Sequence, residues 1–316
     1  MIVYKYLHPD RIDVMHNACI RFTQFAALND PFEATPNFED FKQARTELLL
    51  NTGGMEAHRR SIDLEQIPSL TEEHRQYLRD FKTNWPEEFK EYKDSLIRLF
   101  VGAITDTVFD THTKQVFNDY FAILSLSGTN SNPLMWSHYA SSHTGCVLGF
   151  DSTSPFFEPG ERMASGGLRR VGYSNERFIV PAIGLEGLSP EEQMRANDGM
   201  FFRKSVDWSY EHEYRILGNP GLADKTIDVP GGFPIHLYSF PPEAVQEVVL
   251  GYKMTNLKRE EIVATCERLY PHAAIYQAIP DNRTFSMIIL PAKPDLLLAS
   301  RQRVEEFLTS RRQARP

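Results

Sequence analysis

The sequence predicts an α+β fold: one domain with a mixed, largely antiparallel central sheet and helical insertions. Three observations lead there. About nine short segments carry strand patterns, alternating or continuously apolar and bounded by turn residues. Roughly six segments carry helical spacing, and the two kinds do not alternate strictly, as a doubly wound parallel sheet would require. No GxGxxG, P-loop, HExxH or GxSxG motif occurs.

The elements follow in chain order. Met1 to Tyr6 is rich in Val, Ile and Tyr and reads as a strand. Pro9 and Asp10 can open a helix with Asp10 as its cap, and Ala18 to Thr23 alternates as a second strand. Leu28-Asn29-Asp30-Pro31-Phe32-Glu33 is turn chemistry, because an Asp side chain bonds the backbone just ahead and Pro fixes φ. A helical insertion is expected over about 38–120, broken by Gly53-Gly54 and Pro68. His58, His74 and His112 lie in it without ligand spacing. Phe121 to Ser127 is a short apolar strand, residues 133–140 a helical turn starting near Pro133, and Cys146 to Asp151 a buried strand. Leu168 to Tyr173 is a short strand, and residues 183–202 a helical excursion. A strand is expected over 204–218, followed by strands at Ile235–Phe240 and Val245–Leu250. A helix capped by Thr255 or Asn256 runs to Leu269. Strands at Ala274–Ala278 and Thr284–Leu290 and a C-terminal helix at about 295–312 complete the single domain expected over 1–316.

Bulk properties narrow the function classes. The net charge of -8 argues against a general polyanion binder. Three dispersed cysteines (Cys19, Cys146, Cys266) have no metal or CxxC spacing, which suggests reduced thiols. No apolar run approaches the ~20 residues of a membrane span. The N-terminal residues show no apolar signal-peptide region, so no membrane partner and a cytoplasmic protein are expected.

The densest chemistry lies in Lys204-Ser205-Val206-Asp207-Trp208-Ser209-Tyr210-Glu211-His212-Glu213-Tyr214-Arg215. Read as a strand, it places Glu211 and Glu213 on one face with Asp207 or Arg215. Two adjacent carboxylates repel, so one must shift its pKa or find a cation. That is costly for a plain strand and useful in an active site. An edge strand with a solvated charged face explains the same pattern. Trp136, His138 and Tyr139 share one turn and form either a packed aromatic corner or a stacking platform for a flat ring.

Four blocks occur in order: Tyr4-Lys5-Tyr6; Ile20-Arg21-Phe22-Thr23 with Leu28 to Glu33; Leu134 to Ala140 with Gly145 to Phe150; and Trp208 to Arg215. Together they resemble a widespread bacterial family of unknown function over roughly residues 1–290. More distantly, the order resembles the ADP-ribosyltransferase fold, whose late Glu-x-Glu holds the ribose of NAD and stabilises an oxocarbenium ion. That resemblance implies catalytic roles for Glu213 and Glu211, with NAD as substrate. It implies binding roles for Lys5, Tyr6, Arg21, Asn29, Asp30, Trp136, His138, Tyr139 and Arg215, and no metal. Lys5 departs from the His or Arg usual in the first motif, and Arg21 could supply that cation instead. The acceptor would be nucleic acid or protein, as in a toxin or antiphage effector. Two other readings use the same residues. One is a non-catalytic sensor binding a nucleotide or a phage protein. The other is a metal-dependent nuclease built on Asp30, Glu33, Glu211 and Glu213.

Overall fold

A computed structural model describes residues 1–37, 71–83, 115–163, 166–181 and 188–292. The strands are β1 (Ile2–Leu7), β2 (Cys19–Phe22), β3 (Ala122–Ser127), β4 (Cys146–Asp151), β5 (Arg169–Arg170), β6 (Gly172–Tyr173) and β7 (Arg203–Lys204). They continue as β8 (Glu213–Gly218), β9 (Lys225–Ile227), β10 (Ile235–Ser239), β11 (Val245–Leu250), β12 (Ala274–Pro280) and β13 (Met287–Pro291). Eight of them form one sheet in the order β13-β12-β11-β4-β1-β3-β8-β5. Every neighbour in it is antiparallel except β11 and β12, which run parallel. A parallel pair needs a crossover, and the helix Asn256–Leu269 supplies it. Thr255 caps that helix by accepting from the Lys258 N–H. A second sheet runs β2-β10-β9, and β6 pairs with β7. The fold is therefore mixed α/β with a largely antiparallel sheet.

The chain divides into two compact units. One comprises Met1–Glu33, Phe117–Asn175 and Lys204–Pro316; the other comprises Ala34–Val116 and Glu176–Arg203. In the second, the helix Pro190–Phe201 opens with a capping box between Ser189 and Glu192. Phe178 packs on Gly199 of that helix, where an added Cβ would come within 2.2 Å of the ring. The helix Glu72–Thr83 also belongs to this unit. Residues 115–120 of the expected insertion are helical; its parts at 38–70 and 84–114, with His58 and His112, and the C-terminal helix fall outside the described residues.

In the first unit the sheet buries both faces. Val3, Leu124, Leu148, Phe150, Ile216 and Val248 pack in one cluster with Phe22, Tyr238 and Ile262. Tyr6, Trp136, Val147 and Val249 pack in the other. Alternation along each strand sends neighbours to opposite clusters, as with Val147 and Leu148. Gly145 precedes β4 where the chain passes under β1. A Cβ there would lie 2.0 Å from the Leu7 carbonyl oxygen, which is backbone and cannot swing aside. Gly145→Ala should therefore lower the unfolding free energy by about 2–3 kcal/mol, as overpacking does. A urea midpoint that moves by less than ~0.5 kcal/mol equivalent would contradict this reading of the packing.

Several boundaries differ from the sequence expectations for local reasons. Pro9–Arg11 is a 3-10 turn capped by the His8 ring, which accepts from the Asp10 N–H, and the α-helix begins only at Asp13. The strand expected over 204–218 is broken. Ser205 accepts from the Asp207 N–H and starts a 3-10 helix over Val206–Glu211. His212 then takes a left-handed conformation (φ 46°), and the strand begins at Glu213.

One irregularity of the sheet positions everything that follows. β1 and β3 pair only through Tyr4 and Ser127. Farther along β3, Thr23 exchanges two backbone hydrogen bonds with Ile123, both 2.8 Å. The end of β2 thus occupies the flank of β3 that β1 has left. The fork between β1 and β3 opens a cavity.

Candidate functional site

The cavity at the fork has a volume of about 150 Å³. A space of about that size accepts a single six-membered ring. Its walls come from elements far apart in sequence. Tyr4, Lys5 and Tyr6 come from β1, and Ser125 and Ser127 from β3. Thr23, Asn29 and Glu33 come from the second block, and Met135 and Tyr139 from the helix Pro133–Tyr139. Lys204, Glu211 and Glu213 complete it.

Local chemistry explains why these side chains meet. Asn132 caps the helix Pro133–Tyr139 by accepting from the N–H groups of Leu134 and Met135, while its amide donates to the Tyr210 carbonyl at 3.0 Å. One side chain thereby ties the tyrosine-bearing helix to the glutamate-bearing 3-10 helix. Ser127 donates to the Glu211 carbonyl at 2.6 Å, and the Gly128 N–H donates to the His212 carbonyl at 2.8 Å. These bonds hold the left-handed turn at His212. The turn, rather than strand alternation, sends both carboxylates toward Lys204.

Three carboxylates and two cations interlock below the cavity. Lys204 Nζ lies 2.7 Å from Glu211 Oε2, 3.4 Å from Glu33 Oε1 and 3.5 Å from Glu213 Oε2. Its ammonium also sits 4.5 Å above the Trp208 ring. Arg215 donates through Nε to Glu213 Oε1 at 2.7 Å, and through Nη2 to Glu213 Oε2 at 2.9 Å and Glu33 Oε1 at 2.6 Å. All five residues are buried. Glu33 Oε2 is buried without a hydrogen-bond partner among the described residues. A buried carboxylate oxygen of that kind calls for a donor.

The two glutamates titrate in opposite directions. Burial pushes both carboxyls up. At Glu213 the Arg215 guanidinium overcomes it, helped by Lys204, and holds the carboxyl at about 2. At Glu211 burial and the nearby Glu213 charge outweigh Lys204 and the Tyr139 hydroxyl, so its pKa is raised. Tyr139 donates to Glu211 Oε1 at 2.5 Å, and burial and that carboxylate push the phenol up. Lys5 differs from Lys204. Its Nζ donates to the Ser125 carbonyl at 2.8 Å, and among the described residues no carboxylate oxygen lies within salt-bridge distance. Burial lowers its pKa to about 8, with Arg11 and Arg21 adding to the effect and Glu213 and Glu211 opposing it.

Of the residues singled out from the sequence, Lys5, Tyr6, Asn29, Tyr139, Glu211 and Glu213 line the cavity, and Arg215 lies directly behind it. The others do not. Trp136 is no stacking platform: it is fully buried, sets its ring edge-on to Tyr6 at 5.4 Å and donates to the Asn130 carbonyl. His138 is exposed, because its position on the helix turns it outward. Asp30 spends Oδ1 on the Phe32 N–H, which is the plain turn role. Arg21 stands two residues before Thr23 on β2 and does not line the cavity. Lys204, Ser125 and Ser127 were missed. Lys204 carried a signal, since a carboxylate pair needs a cation and it opens the same stretch. The two serines carried none. Among the described residues no three His, Cys, Asp or Glu side chains are disposed to hold a metal ion. Lys204 and Arg215 fill the space between the carboxylates that a cation would need. No helix among those residues is long and apolar enough to cross a membrane.

A family model described as a protein of unknown function, DUF2971, matches residues 135–216. That stretch carries most of the helix Pro133–Tyr139 and the whole segment from Trp208 to Arg215, and leaves Lys5 and the Asn29–Glu33 block outside it. No curated protein and no solved structure matches the chain.

Proposed function

We propose that this chain is an ADP-ribosyltransferase-like enzyme that breaks the nicotinamide–ribose bond of NAD at the fork cavity. The observation that carries the reading is the pair Glu211 and Glu213, with pKa values pushed apart, sharing one ammonium in a ring-sized cavity. Such divergence is how two carboxylates divide the work of glycosidic cleavage. Glu213, ionised, stabilises the positive charge that grows on the ribose as nicotinamide leaves with the bonding electrons. Glu211 takes the proton from the attacking water or acceptor hydroxyl, which closes the new bond at C1. Tyr4, Tyr6 and Tyr139 provide aromatic walls, and Asn29 an amide for the ring or sugar. The cavity accommodates one ring, so the rest of the dinucleotide would extend outside it. A nucleic acid or protein acceptor would make the chain a toxin- or defence-type effector; water would make it a glycohydrolase.

The test is nicotinamide release from NAD by purified protein, with and without nucleic acid. Glu211→Gln should reduce release by roughly 10²–10⁴, the usual contribution of a general base. The sign of the pH dependence follows from the raised Glu211 pKa. A base must be ionised, so the rate should fall as pH drops through a value above the ordinary 4.5, and Glu211→Gln should abolish that limb. An unchanged rate in Glu211→Gln removes the reading.

One observation favours a second reading, a nucleotide-binding module without turnover. Both Glu213 oxygens already accept from the Arg215 guanidinium, as in a purely structural pair. Saturable NAD binding with no product over long incubation would select it.

A further inference from the structure

The cavity contains a second kind of chemistry that glycosidic cleavage does not use. Lys204 and Lys5 both line it, in different surroundings. Lys204 is held by three carboxylates, which outweigh its burial and raise its pKa. Lys5 has one neutral acceptor, the Ser125 carbonyl at the fork. That bond uses one of three ammonium protons and fixes the amine at the cavity wall. A partly buried lysine with no carboxylate at salt-bridge distance among the described residues gives up its proton more readily than an exposed one, and a neutral amine is a nucleophile. The walls around it are mixed: among apolar Leu28, Ile123 and Met135 stand the polar groups of Thr23 and Asn29 and the buried Oε2 of Glu33. They suit a small ligand bearing several hydroxyl groups.

We propose that Lys5 is an imine-forming amine, and that the fork cavity takes the open-chain aldehyde of a small sugar as its covalent ligand. The Nζ lone pair attacks the aldehyde carbon, and the carbonyl electron pair moves to oxygen. Glu211, ionised, takes one proton from the nitrogen and hands it to that oxygen, giving the carbinolamine. The second N–H proton leaves by the same route with the hydroxyl as water, which leaves a neutral C=N bond to Lys5, and water returning to that carbon reverses the sequence. No oxidant or reductant is needed. The inference goes beyond NAD cleavage and stands on the amine itself, so either can fail alone.

The full-length protein would be incubated with ribose 5-phosphate, reduced with cyanoborohydride and mapped by peptide mass. At pH 7 an amine with a pKa of about 8 has roughly a two- to three-hundredfold larger neutral fraction than an ordinary lysine. The adduct should therefore concentrate at Lys5, with Lys204 unlabelled as the control in the same cavity. The labelling rate at Lys5 should level off above about pH 8, given the charges that face it, Glu211, Glu213, Arg11 and Arg21. Surface lysines should keep rising to higher pH. Lys5→Arg keeps the charge and the bond to Ser125 and should lose the adduct. Should that variant not fold, the map of the natural chain decides alone. Adduct spread over surface lysines, or a Lys5 profile that rises with theirs, overturns the proposal.

Discussion

Replacing Arg215 with methionine should lower the unfolding free energy by about 3–5 kcal/mol, although methionine fills a similar volume. The residue is 1% exposed and holds Glu213 on both oxygens and Glu33 on one. Removing it leaves two buried carboxylates facing each other, with Lys204 still within salt-bridge distance of both. Breaking one side of a buried ionic group costs more than the group contributes intact, because the surviving charges have lost both water and partner. Acid should reproduce part of this effect in the natural protein. Glu213 is held at about 2 in the fold against an ordinary 4.5, so the unfolded chain binds the proton first. Its contribution, on the order of 3 kcal/mol, is complete above about pH 4.5 and fades as pH falls toward 2. Urea midpoints from pH 6 to pH 2.5 measure both effects. A loss under ~1 kcal/mol in Arg215→Met would mean that the cluster relaxes or hydrates, and the account of a dry ionic group would be wrong.

Glu213→Gln should lower kcat/KM for nicotinamide release by about 10³, or ~4 kcal/mol of transition-state stabilisation. Glutamine keeps the shape and some hydrogen bonds to Arg215 but carries no charge for the developing oxocarbenium ion. The variant also leaves Arg215 and Lys204 with less compensation, so rates must be taken per folded molecule, with the folded fraction measured by circular dichroism. A loss of less than tenfold in folded protein would make Glu213 a structural carboxylate and leave the binding-module reading.

The order of elements was legible in the sequence because strand and helix periods are local. Val147 and Leu148, or Ile123 and Leu124, each declare a two-sided strand from residue type alone. The stretch from Lys204 to Arg215 was legible as chemistry, since three carboxylates, a lysine and an arginine within twelve residues must resolve their charges somewhere. Its geometry was not. Alternation puts Glu211 and Glu213 on one strand face, whereas the Ser205 cap and the left-handed His212 break the strand between them. A single hydroxyl bonding one N–H decided that, and the energy separating a 3-10 turn from an extended chain is too small to read from propensity.

What only the tertiary structure decided is which residues meet. Trp136 and Tyr139 are one helical turn apart, yet one vanishes into the core and the other reaches Glu211, depending on where β1 lies. Ser125 matters because β1 leaves β3 after a single residue pair, and its carbonyl is then open to Lys5. Glu33 joins Arg215 across 182 positions of chain. The sequence by itself determined the inventory: the strands, the turn-rich block at Asn29–Glu33, and the excess of charge around Glu211. Pairing at the fork determined the site, because burial and charge compensation depend on neighbours that no local pattern encodes.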